Sequence, residues 1–154
     1  MKEGLQAIDG CGLPGKLKLW CLQFRLMPRL MWPLTVYEIA MSHVERMECR
    51  ISVFARTWLG TSRNLTKVAL YGKGTKVQLP LKALTEEYKV AKAKLHMTLR
   101  DSRDQVVRDT LPDVRSGRKW SASQAVTDAE AGLIIRDIVG ATQSDCRGID
   151  HREM

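Results

Sequence analysis

The sequence predicts a mainly α fold: a small helical bundle with a short β-hairpin or basic loop near 68–79 and a C-terminal helix. Three observations carry that expectation. Apolar residues recur at three- and four-residue steps through most of the chain. Serine stands three residues ahead of Glu or Gln at two helix starts, and glycine stands just past the end of two helical runs. With 154 residues, 44% of them hydrophobic and 27% charged, the chain is long enough for one core or two small helical clusters. Its composition is not that of a disordered chain.

Leu13-Pro14-Gly15 marks the start of a first helix, in which Leu17, Trp20, Cys21, Phe24 and Met27 fall on one face and which ends near Pro28. A second run, Arg29 to about Ile39, accommodates Pro33 in its first turn, where no backbone donor is lost. Ser42 with Glu45 forms a capping box for a third helix, with an apolar stripe of Val44, Met47, Ile51, Phe54, Trp58 and Leu59 and with Gly60 as its left-handed cap. Val68–Tyr71 and Lys76–Leu79 read as two short strands around Gly72-Lys73-Gly74; a basic loop fits the same residues. From Leu81 to about Leu99 a fourth helix turns Leu84, Tyr88, Ala91, Leu95 and Leu99 inward, and Lys82, Lys89, Lys92 and Lys94 toward solvent. Residues 101–119 form a loop with one helical turn around Val106-Val107. A second capping box, Ser121 with Gln124, opens a helix from Ala122 to Val139 that Gly140 closes. The expected organisation is a helical region over 1–60, a basic hairpin and helix connecting region over 61–119, the C-terminal helix over 120–140 and a disordered tail over 141–154.

Charge is unevenly distributed. Residues 1–60 carry +3, residues 61–119 carry +8 and residues 120–154 carry −3, so the middle third alone equals the formal net charge of +8. Such a stretch suits a phosphate backbone, where each bound Lys or Arg releases a counterion, or an anionic surface. A solvated helix face explains it equally well. The most apolar stretch, Leu17 to Met41, contains Arg25, Arg29, Pro28 and Pro33 and reads as buried helix, not as a membrane span. The first sixteen residues hold four glycines, a proline and acidic side chains, which is not a signal-peptide pattern. Cys11, Cys21, Cys49 and Cys146 show no close pairing. Free thiols and a cytoplasmic or nuclear, non-secreted location are expected.

Several short patterns suggest catalysis, yet each lacks its partners. Gly10 to Lys16 has the glycine and Gly-Lys spacing of a P-loop, but Leu17 stands where the magnesium-binding hydroxyl belongs. His43-Val44-Glu45 resembles half of a deaminase zinc site without its Pro-Cys-x-x-Cys. His96 and His151 have no ligand spacing around them. Glu86-Glu87, the only adjacent acidic pair, sits where a helix start favours negative charge. No cofactor and no enzymatic activity are expected. Trp20, Trp32 and Trp58 lie in apolar runs and are expected in the core. Trp120 follows Arg118-Lys119 and precedes a helix start, so it either contacts a ligand or anchors the loop.

In order, Leu13-Pro14-Gly15-Lys16-Leu17-Lys18, Pro28-Arg29-Leu30-Met31-Trp32-Pro33-Leu34 with Val36-Tyr37-Glu38, Trp58-Leu59-Gly60, Ala69-Leu70-Tyr71-Gly72, Leu79-Pro80-Leu81, Glu86-Glu87 and Gly117-Arg118-Lys119-Trp120 resemble the reverse transcriptases of non-LTR retrotransposons, downstream of the palm. The likeness runs from about residue 5 to Gly140. It implies a thumb-like helical region over residues 13–60, followed by a connecting segment, in a truncated or rearranged fragment. The family's catalytic carboxylates belong to the palm, in a Tyr-x-Asp-Asp motif and an upstream Asp, and this sequence contains no Asp-Asp. The expectation is a non-catalytic fragment with weak, sequence-independent affinity for an RNA or DNA duplex or hybrid. Its expected contacts are Lys67, Lys73, Lys76, Lys92, Arg118, Lys119 and Trp120. Alternatives are a helical interaction or self-associating module, with Trp20, Phe24, Trp32 and Trp58 partly at an interface, and a relic without function. No membrane and no small-molecule substrate are expected as partners.

Overall fold

A computed structural model describes residues 1–71, 81–109 and 118–134. The described chain is mainly helical: α1 (Lys2–Gly10), α2 (Gly15–Cys21), a π turn (Leu22–Leu26), α3 (Met27–Val36), α4 (Met41–Leu59), α5 (Lys67–Tyr71), α6 (Leu84–Arg100) and α7 (Gln105–Asp109). A further helical run covers 122–134. The helices form a small bundle in which α4 packs on α1, α2 and α6, while α3 packs on α6. The core, from Leu5 through Leu22, Val44 and Ile51 to Leu84 and Tyr88, is continuous across the boundary expected at residue 60.

The α1 helix was not anticipated. It buries Leu5 and packs Ile8 against the core, a three-residue step too short to stand out in the sequence. The expected break near Pro28 is instead a continuous passage. A proline ring meets the carbonyl four residues back in an α-helix. The π turn adds one residue to the coil just before Pro28 and lets the chain run on into α3. Pro33 lies inside α3, not in its first turn. Gly15 is required by a close approach of two helices. A Cβ there would come within 1.8 Å of the Trp58 carbonyl oxygen, so only glycine lets the start of α2 approach the end of α4.

The face presented by α2 and α3 differs from expectation. Leu19, Leu22, Met27 and Leu34 are buried, whereas Leu17, Trp20, Phe24 and Trp32 are exposed. Two apolar stripes compete along this helix, and the all-aliphatic one takes the interior. Each fully buried leucine contributes roughly 1.5 to 3 kcal/mol.

Helix α4 ends as expected. Gly60 adopts φ 63°, and the N–H groups of Gly60 and Thr61 donate to Thr57 and Arg56 carbonyls, a left-handed cap. Its start does not follow the capping-box expectation: Ala40 is the N-cap and makes no side-chain bond, and Glu45 reaches Lys119 instead of its own helix. Val68–Tyr71, expected as a strand, belongs to the helical turn α5. One turn of helix points Lys67, Leu70 and Tyr71 to the same side, toward Glu48, the core and Ser52, which strand alternation would prevent. Residues 72–80, with the second strand, lie outside the described residues, as does the tail over 141–154. No β-strand occurs among the described residues.

Helix α6 buries Leu84, Tyr88, Lys92 and His96, a strict four-residue stripe. The turn around Val106-Val107 is α7, whose Val106 N–H donates to Asp104 Oδ1 at 2.9 Å. At the start of the 122–134 run the reciprocal bonds of a capping box are replaced: Ser121 Oγ meets Ser123 Oγ, and Gln124 Nε2 donates to Asp128. Ala122 and Val126 bury this run, the Trp120 ring lies tilted beside Tyr88, and Arg100 pairs with Glu130 at 2.9 Å. No helix among the described residues is long and apolar enough to cross a membrane.

Candidate nucleic-acid interface

The seven expected contact residues separate into distinct environments. Lys73 and Lys76 lie outside the described residues. Lys67 donates to Glu48 Oε1 at 3.4 Å and to Cys49 Sγ at 3.7 Å. Burial alone would lower its pKa, but Glu48 and then Cys49 outweigh that, and the ammonium is held above its ordinary value. Glu48 is itself only 5% exposed. Its other oxygen accepts the N–H of Thr85 at 2.9 Å and the Thr85 hydroxyl, so this carboxylate caps the first turn of α6 from a neighbouring helix.

Lys92 is turned inward, which corrects its placement on a solvent face. It is 2% exposed, and its ammonium donates to the carbonyls of Thr35 at 2.7 Å and Tyr37 at 2.9 Å. These are orphan acceptors at the end of α3, where a cation complements the helix dipole. Burial lowers the Lys92 pKa, opposed by Glu38. An ammonium so placed is out of reach of a phosphate. It completes the fold.

Arg118, Lys119 and Trp120 do come together. They line an open cleft of about 340 Å³ with Ser121, Gln124 and Asp128, at the N-terminal end of the 122–134 helix. Arg118 is exposed and has no ion pair among the described residues. Lys119 Nζ lies 2.7 and 2.8 Å from the two Glu45 oxygens. That pair is solvent-facing, with the lysine side chain 65% exposed, and exposed pairs hold only up to about 1 kcal/mol. Trp120 is half-buried with its ring 6.3 Å from Tyr88, so it anchors the loop while forming one wall of the cleft. Two cations, an aromatic wall and a helix start are elements suited to an anionic backbone.

Of the remaining chemical candidates, His151 lies outside the described residues. Glu86 pairs with Lys89 and Glu87 with Lys82. His43 Nδ1 lies 3.4 Å from Arg46. His96 is buried with its Nδ1 unpartnered. No group of three or more His, Cys, Asp or Glu among the described residues is placed to hold a metal.

A second surface carries three of the aromatic residues that the sequence placed in the core or, alternatively, partly at an interface. Trp20 and Phe24 are 52% and 53% exposed with ring centroids 5.2 Å apart, and Trp32 is 68% exposed. Arg25 and Arg29 are exposed on the same helical run. The signal was present: Leu19, Leu22, Leu26, Leu30 and Leu34 follow helical spacing unbroken and without charge, so the aromatic stripe had to face elsewhere. No family model matches the chain, no curated protein matches it, and no solved structure matches its fold.

Proposed function

We propose that this chain is a non-catalytic, reverse-transcriptase-like fragment that holds nucleic acid through its sugar-phosphate backbone, independently of sequence. The observation that carries the reading is the cleft where Arg118 and Lys119 stand beside Trp120 at a helix start. The +8 middle segment and the ordered motifs that resemble those of non-LTR reverse transcriptases support it. Backbone contacts position a protein without reading bases. Equal affinity for labelled duplex DNA of two unrelated sequences is therefore expected, with log K falling linearly as log salt rises. A flat salt dependence contradicts the reading.

A second reading, a protein-interaction or self-associating module, is favoured by the exposed Trp20, Phe24 and Trp32, since large exposed apolar patches mark interaction surfaces. A monodisperse monomer in sedimentation at high concentration counts against its self-associating form.

A further inference from the structure

An apolar groove separates α1 from the long helical run opposite it. Ala7 and Ile8 line it from α1, and Cys21, Arg25, Leu26 and Arg29 from the run through the π turn into α3, around a volume of about 360 Å³. Arg25 and Arg29 stand one helical turn apart, and neither has an ion pair or hydrogen bond among the described residues. Trp20 and Phe24 precede Cys21 and Arg25 along the same helix and remain half-exposed. No Asp or Glu occurs between Asp9 and Glu38, while Lys16, Lys18, Arg25 and Arg29 all do. The surface therefore combines an open apolar floor with two arginines that have no ion pair among the described residues.

We infer that this groove docks an amphipathic helix of a partner protein, with aliphatic side chains in the floor and Asp or Glu side chains on Arg25 and Arg29. This rests on the interaction reading and names the partner's chemistry. Helix-in-groove recognition uses apolar anchors at one-turn spacing, which an open groove lined by Ala7, Ile8 and Leu26 accommodates. Arginine pairs with carboxylates in a planar, two-bond geometry that lysine does not reproduce. A second copy docking with the groove on a twofold axis would bring the arginine pair of one copy near that of the other, and like charges across an interface select against that arrangement.

The test uses the full chain and two fluorescein-labelled designed helical peptides with identical leucine spacing, one flanked by glutamates and one by lysines. Fluorescence anisotropy is expected to show the glutamate peptide binding at least about tenfold tighter. Arg25→Glu with Arg29→Glu should reverse that preference, a result that misfolding cannot produce. Ala7→Leu, which fills the groove, should weaken the glutamate peptide. Equal affinity for both peptides overturns the acidic partner. So does tighter binding of phosphatidylserine vesicles or duplex DNA through the two arginines, or a dimer that Ala7→Leu dissolves. If Trp20→Ala with Phe24→Ala weakens both peptides equally while the arginine reversal changes nothing, the interaction reading survives and the acidic partner falls. If neither peptide binds and the chain does not self-associate, both fall.

Discussion

Lys92 and Lys119 are equivalent cations in one basic stretch of sequence, and the fold puts them to opposite uses. Lys92 lies beneath the surface, 2% exposed, its ammonium donating to two carbonyls at the end of α3 and its charge 5.8 Å from the Tyr88 ring. Lys119 projects into solvent beside Arg118, with one exchangeable partner, Glu45. The difference teaches that net charge per segment overstates what a polyanion meets. A cation that satisfies a helix end belongs to the core. One that stands exposed, or trades only a surface carboxylate, is available to a ligand.

The comparison breaks most readily at Lys92. Lys92→Met keeps the aliphatic stem but leaves two part-buried carbonyls without their ammonium donor and removes the cation from a helix end. A loss of about 2 to 4 kcal/mol is expected from urea denaturation, and a neutral result would mean that the ammonium is not part of the core. Glu48→Ala sharpens the same contrast from the acidic side. It strips the Thr85 N–H of its acceptor and Lys67 of its carboxylate partner, and about 2 kcal/mol is expected. Tyr71 comes next. Burial foremost, with Glu48 adding and the Ser52 hydrogen bond opposing, pushes its pKa up to about 12 from 10.0. Between pH of about 10 and 12 the folded protein keeps a proton that the unfolded chain has lost, so stability falls as pH rises through that window. At about 1.4 kcal/mol per pKa unit the loss is bounded at roughly 2 to 3 kcal/mol. Tyr71→Phe should lack it, and parallel curves for the two proteins would refute the assignment. Smallest is Lys119→Ala, for which less than about 1 kcal/mol of stability is expected.

What could be read from the sequence depended on whether a signal was local. Gly60 and the turn at Val106 were legible because a left-handed glycine cap and an Asp104 cap act within a few residues. Helix α6 was legible as a helix, but its buried stripe was not, because Lys92 is drawn inward by carbonyls 55 and 57 residues earlier in the chain. The Ser42 and Ser121 boxes misled for the same reason: Glu45 has a better partner in Lys119, 74 residues away, and Gln124 turns to Asp128. The aromatic stripe on α2 and α3 was misassigned because hydrophobicity alone ranks tryptophan with leucine. Packing prefers the unbroken leucine series. Of the expected contact residues, Arg118, Lys119 and Trp120 were legible as a unit because they are adjacent in sequence.

The most direct test compares the salt dependence of duplex DNA binding in the parent chain, in Arg118→Ala with Lys119→Ala, and in Lys92→Met at a temperature where it remains folded. Each phosphate contact contributes about 0.9 to the slope of log K against log salt. If Arg118 and Lys119 hold the backbone while Lys92 serves the core, the slope becomes shallower by about two in the double variant and stays unchanged in Lys92→Met. An unchanged slope in the double variant, or a shallower one in Lys92→Met, would contradict that division of roles.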